Sequence, residues 1–198
     1  MKKALLSLLL FAGLHRAAHA QRSDVSLGLK AGASLTNFVG KDAPNSDYRF
    51  GFHAGVFANV GLTKLVAFQP ELLYSQKGDV SELNEEFKTR LHYIDVPLAF
   101  HLNRDGLFFE AGPQVGFLIA ARYEAGSLSA DTKDLYKTVD FGYLAGLGYQ
   151  LKQGIGLGLR YNGEFTEFPK SINITGNLKQ QTRARNSAFQ LYATYSFN

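Results

Sequence analysis

Lys30, Glu71, Lys77, Asp95, Glu110, Arg122, Asp140, Arg160 and Glu164, with His53 and His101, are the residues whose types suit chemistry in this chain. As four bases against five acids they form a nearly balanced set, which suits mutual pairing in a low-dielectric interior, where an unpaired charge is not tolerated. Ser75 and His53 are of the types that supply a nucleophile and its base, but neither sits in a catalytic motif. His53, His92 and His101 have the type of metal ligands, yet no two of them stand at i,i+2 or i,i+4. The glycine-rich stretches 112–116 and 142–148 lack the following Lys-Ser/Thr and the strand-turn-helix setting of a phosphate loop. The expectation is a compensated polar interior with no catalytic, cofactor or metal site.

What places these residues together is a period of two. Alternation runs through eight segments: 25–36, 50–62, 66–75, 92–102, 107–122, 138–149, 155–162 and 189–197. Successive side chains of a strand point to opposite faces. One face therefore reads apolar (Leu27, Leu29, Ala31, Ala33, Leu35) and the other polar or small (Ser26, Gly28, Lys30, Gly32, Ser34). Most segments reach about 10 residues, the length a tilted strand needs to cross a bilayer. An open sheet edge in lipid would leave amides unpaired, so the strands must close. The fold class expected is all-β: an eight-stranded antiparallel up-and-down transmembrane β-barrel.

The connections alternate as well. Thr63-Lys64-Leu65, Asn103-Arg104-Asp105-Gly106 and Lys152-Gln153-Gly154 read as tight turns, whereas 39–49, 78–90, 123–137 and 166–186 are long and polar. Short periplasmic turns and long extracellular loops are the pattern of such barrels. The segment 81–90, with Leu83 and Phe87 on one face, reads as a short helix. Pro70, Pro97 and Pro113 fall at similar heights on strands three, four and five, which suggests a line of bulges, since proline cannot donate to a ladder.

Residues 1–20 read as a secretory signal: Lys2 and Lys3, an apolar stretch from Ala4 to Leu14, then Ala18-His19-Ala20. The stretch is too short for a membrane-spanning helix. The domain organisation expected is thus 1–20 signal peptide and 21–198 barrel, exported to the outer membrane. Lys2, Lys3 and Arg16 leave with the signal, so the 21 basic residues fall to 18 against 17 acidic ones. No basic surplus remains to favour nucleic acid. The chain has no cysteine, which excludes disulfides and thiolate metal sites. Its 20 glycines, 16 phenylalanines and 10 tyrosines suit a barrel better than a helical membrane protein.

Three stretches, Gln69-Pro-Glu-Leu-Leu-Tyr-Ser-Gln-Lys-Gly78, Tyr93-Ile-Asp-Val-Pro-Leu98 and Glu110-Ala-Gly-Pro-Gln114, resemble the PorT-like outer-membrane β-barrel family of Bacteroidetes. The resemblance runs over nearly all of residues 21–198 and implies the fold, the membrane and a Bacteroidetes host. The family's namesake is linked to secretion and gliding, a role not carried over here. The chain ends Phe197-Asn198, so the terminal aromatic that barrel-assembly machinery reads is penultimate.

The function expected is structural, or binding through extracellular loops, without catalysis. A small channel or transporter is the alternative, followed by a lipid-modifying barrel enzyme and a soluble lipocalin-type carrier with its apolar face turned inward. The partners expected are outer-membrane lipids, lipopolysaccharide and the assembly machinery. Lys170, Lys179, Arg183 and Arg185 in the longest loop suit lipopolysaccharide phosphates. Mass spectrometry of the membrane-inserted protein should find Gln21 at the N-terminus; an intact Met1 there would remove the signal reading.

Overall fold

The computed structural model describes residues 25–43, 46–170, 172–174, 178–180 and 183–197; the expected signal and its cleavage junction lie outside them. Eight strands form the frame: β1 (Val25–Val39), β2 (Arg49–Gly61), β3 (Val66–Ser81), β4 (Phe87–Arg104), β5 (Leu107–Ala125), β6 (Val139–Gln150), β7 (Ile155–Glu164) and β8 (Arg185–Phe197). Each pairs antiparallel with its sequence neighbours. β8 pairs back onto β1, from Leu27 opposite Phe197 to Val39 opposite Arg185, and the sheet closes into a ring.

Inside and outside follow the alternation. Leu29 is 50% exposed while its neighbour Lys30 is 1% exposed. Leu27, Phe52, Val56, Leu72, Phe100, Phe109, Leu159 and Leu191 are likewise half exposed on the outer wall. That wall is a continuous apolar belt, and the lumen holds the polar residues. The soluble carrier needs the reverse arrangement and is overturned.

The turns at one end are tight. Asp105 (φ 51°) and Gly106 (φ 88°) take the left-handed conformations of a type I′ hairpin turn. Thr63 Oγ1 accepts from the Leu65 and Val66 amides at 3.2 and 2.9 Å, closing the β2–β3 turn. At the other end β3, β4 and β5 run on past the belt, further than alternation indicated. The helix expected over 81–90 is absent. Strand pairing continues to Val80 opposite Lys88, and the intervening turn is set by Asn84. Its Oδ1 accepts from the Glu86 amide (2.9 Å) and its carbonyl from the Phe87 amide (3.0 Å). A polar residue that bonds its own backbone competes with a helix.

Two further expectations change. Arg122 is not a lumen residue. His92 pairs with Ala120 and Tyr93 with Leu118, which leaves Ile119 as a β-bulge. Beyond it the faces swap: Ala121, opposite Leu91, points in at 1% exposure, and Arg122, opposite Arg90, points out. The prolines, in contrast, are not bulges. Pairing lapses beside Pro70, Pro97 and Pro113 and resumes in the same register on each side. Their shared height holds, because Pro70 opposes Leu98 and the same register sets Leu98 against Pro113. Missing donors interrupt the ladder locally without inserting a residue.

The chain has no cysteine, so single-cysteine labelling tests the bulge directly. Arg122→Cys should react readily with a membrane-impermeant maleimide in nanodiscs, and Ala121→Cys only after unfolding. The opposite order of reactivity would restore uninterrupted alternation.

Candidate functional site in the lumen and at its mouths

Strand parity turns Lys30, His53, Glu71, Lys77, Asp95, His101, Glu110, Asp140, Arg160 and Glu164 into the lumen, all of them buried. The barrel sorts them by height into two layers. The lower layer is organised by Arg160 on β7. Its Nε donates to Glu110 Oε1 (2.8 Å), its Nη1 to Glu71 Oε2 (3.0 Å) and its Nη2 to Glu71 Oε1 (2.8 Å) and to Glu110 Oε2. Glu71 is on β3, four strands from β7 in a ring of eight, so this one guanidinium spans the lumen from wall to opposite wall. Lys30 Nζ donates to Glu71 Oε1 at 2.7 Å and lies 3.9 Å from the centre of the Tyr192 ring. The Tyr192 hydroxyl donates to Glu110 Oε1 at 2.7 Å, and Gln69 Nε2 to Glu71 Oε1 at 2.9 Å. Two cations thus meet two carboxylates, all hydrogen-bonded, as buried ion pairs require.

The second layer lies nearer the end that carries the long connections. Lys77 Nζ donates to Asp95 Oδ1 (3.1 Å) and Glu164 Oε1 (2.8 Å) over the Tyr93 ring. Asn186 Nδ2 lies 3.4 Å from Asp140 Oδ2. Room for these groups comes from inward glycines. A Cβ on Gly116 would stand 2.7 Å from Asp95 Oδ1, and one on Gly142 2.5 Å from Glu164 Oε2. The inward aromatics use the same device. Phe57, Phe108 and Tyr192 each lie over a cross-strand glycine, Gly28, Gly148 and Gly158.

Above the second layer the lumen turns apolar. Leu91, Tyr93, Leu118, Ala121, Phe168 and Ala184 form a buried cluster, with Phe38, Ala43 and Tyr136 packed against it. Phe168 comes from the long connection between β7 and β8. Its ring lies 4.5 Å from that of Phe38 and 5.4 Å from that of Tyr136. Its backbone is fixed by Ala184 O and the Lys137 amide at 3.1 and 2.8 Å. The opposite mouth is open. A polar cavity of about 470 Å³, lined by Asn59, Gln69, Asn103, Gln150 and Thr194, reaches inward as far as His101 and Tyr192.

Ser75 and His53 stand directly opposite in register, as their types invited, but they do not form a nucleophile–base pair. His53 Nδ1 is bonded to Ser34 Oγ at 3.0 Å, and Ser75 Oγ has no hydrogen-bond partner among the described residues. His92 faces outward, its Nδ1 2.6 Å from the Tyr74 hydroxyl, apart from the other histidines. One ligand-type cluster escaped the sequence reading: donor atoms of Glu71, His101 and Glu110 lie within 4.8 Å of one another. It is a poor metal centre, because Arg160 and Lys30 already hold those carboxylates. The Phe168 seal was also missed. An isolated apolar residue in a polar loop has no period to betray it.

Against curated protein sequences the chain finds no match. Among solved structures it is similar to the neisserial surface protein A, at 15% identity and a TM-score of 0.55 over 87% of this chain and 99% of that one. It is also similar to Ail, the attachment invasion locus protein of Yersinia pestis, solved with the heparin analogue sucrose octasulfate. That match is 13% identical with a TM-score of 0.51, again over 87% and 99% of the two chains. At such identities the likeness speaks for the fold alone. Residues 17–167 match the family described as outer membrane protein beta-barrel domain, which is most of the sequence. With its ring of eight strands and apolar belt, the chain belongs to this outer-membrane β-barrel family.

Proposed function

We propose that the lumen of this barrel is a closed scaffold and that function resides on the extracellular loops, which bind without catalysis. The observation that carries this reading is the Arg160 side chain joining β7 to the opposite strand β3 through Glu71. An eight-stranded barrel has space inside for little more than its own side chains. Here those side chains are cross-linked by charge, and Phe168 and its neighbours cover the outer end. The inner cavity stops at His101 and Tyr192, short of a channel.

The finer assignments belong to the same proposal. Residues 1–20 act as a cleaved signal, and the three motif stretches make this a PorT-like member from a Bacteroidetes host. Its partners are outer-membrane lipids, lipopolysaccharide and the assembly machinery that reads the terminal strand. Exposed Arg183 and Arg185 support a contact with lipopolysaccharide phosphates. Lys170 is less free, since its ammonium donates to Asp134 O at 2.9 Å.

Purified protein in planar bilayers should show no steady single-channel steps at high salt. Reproducible ion-selective openings that change with Arg160 or Glu110 would replace the scaffold by the channel reading. Arg160→Met leaves two buried carboxylates short of their main partner and should cost about 3–5 kcal/mol. Urea unfolding in detergent micelles, read by the gel shift of folded against heated protein, measures it. A loss below about 1 kcal/mol would show that the clamp does not hold the barrel together.

A further inference from the structure

Leu83 and Leu128 are the two most exposed large apolar side chains among the described residues, at 80% and 74%. Neither faces lipid. The outer wall of β4 is apolar up to Ile94 and then reads His92, Arg90, Lys88 and, in the turn, Glu86. Six residues of a tilted strand carry that turn roughly 15 Å beyond the belt. Leu83 sits in the β3–β4 turn. Leu128 begins the short strand Leu128–Asp131, which folds back on β5 through Gly126 (φ 58°).

The two tips form one surface. The Gly126 amide donates to Glu86 O at 3.2 Å, and the Phe87 and Tyr123 rings stack at 6.2 Å with 11° between their planes. Between the hairpins lies a cleft of about 390 Å³ lined by Asn84, Glu85, Glu86, Lys88, Glu124 and Gly126. Glu82, Glu85 and Glu86 make no ion pair among the described residues, while Glu124 is held by Arg90 at 2.9 Å. The surface therefore offers two leucines to water, an aromatic pair beside them, and a surplus of negative charge. Single exposed leucines are ordinary; two on tips that are tied together above a membrane mark a contact surface.

We propose that these tips are the docking surface for a cationic amphipathic polypeptide outside the cell. Its apolar residues cover Leu83 and Leu128, and its lysines or arginines meet Glu82, Glu85 and Glu86. The proposal rests on the extracellular-loop reading and names the loops and the partner chemistry. Complementary charge around an apolar centre supplies both attraction and orientation. Polyanions are disfavoured at this face for the same reason.

The test uses the full barrel in nanodiscs of zwitterionic lipid, with empty discs as reference. The probes are a short helical peptide of leucine and lysine and its leucine–glutamate counterpart. The lysine peptide should bind about tenfold more tightly than the glutamate peptide, and more weakly as salt rises. Leu83→Ser with Leu128→Ser should lower that affinity about tenfold. Glu82→Gln, Glu85→Gln and Glu86→Gln together should remove its salt dependence. All five positions are exposed, and the gel shift confirms that the variants are folded. Equal binding of the two peptides, or unchanged binding by either variant, overturns the proposal. A separate arm labels Leu83→Cys on intact cells with an impermeant maleimide. Absence of labelling removes the extracellular reading and the proposal with it. A labelled tip that ignores the lysine peptide removes the docking proposal alone.

Discussion

Hydrocarbon offers a backbone amide no partner, and everything else in this molecule follows from that constraint. The ladder between β1 and β8 removes the last open edge. Once closed, eight strands define a narrow interior that side chains largely fill. The usual arrangement of a globular protein is inverted as a result. Leucine and phenylalanine lie outside, and lysine, arginine and glutamate are shut in. The interior charges are tolerable because they find one another. Arg160, Lys30, Glu71 and Glu110 form a set in which every member is hydrogen-bonded.

Space inside is shared out by glycine. Phe57, Phe108 and Tyr192 are too large for a crowded wall unless the neighbouring strand gives way. Gly28, Gly148 and Gly158 provide that room. Two further inward glycines, Gly116 and Gly142, let Asp95 and Glu164 lean over them toward Lys77. Glycine abundance is therefore a requirement of packing, and its positions are tied to those of the bulky inward side chains. The two ends are finished differently. A loop folds Phe168 into the mouth at the long connections, whereas the mouth at the tight turns stays polar and wide.

The period of two made the architecture and the inward-facing set legible, because parity needs only local sequence. Ten of the eleven residues named as inward charges or histidines, all but Arg122, have partners inside the lumen that parity could not identify. That Arg160 meets Glu71 depends on the relative heights of β7 and β3, and height is set by the register of every ladder between them. Arg122 was misplaced because the bulge at Ile119 occurs in an alternating run with no glycine or proline to mark it. The prolines invited the opposite error, since they interrupt pairing without shifting it. The extended upper hairpins were obscured by Gly78, Asp79 and Asn84, which read as loop but sit on or cap strands.

The clamp across the lumen also sets a sequence of events in time. Arg160 is 50 residues from Glu110 and 89 from Glu71 along the chain. Both loops must close before the three groups meet, and contacts so distant slow a folding chain. Until β7 arrives, Glu71 and Glu110 are carboxylates whose main counter-ion is elsewhere, and water must serve them. A ring that lacks β7 lacks Arg160 too, so Glu71 and Glu110 have their shared partner only in the complete barrel.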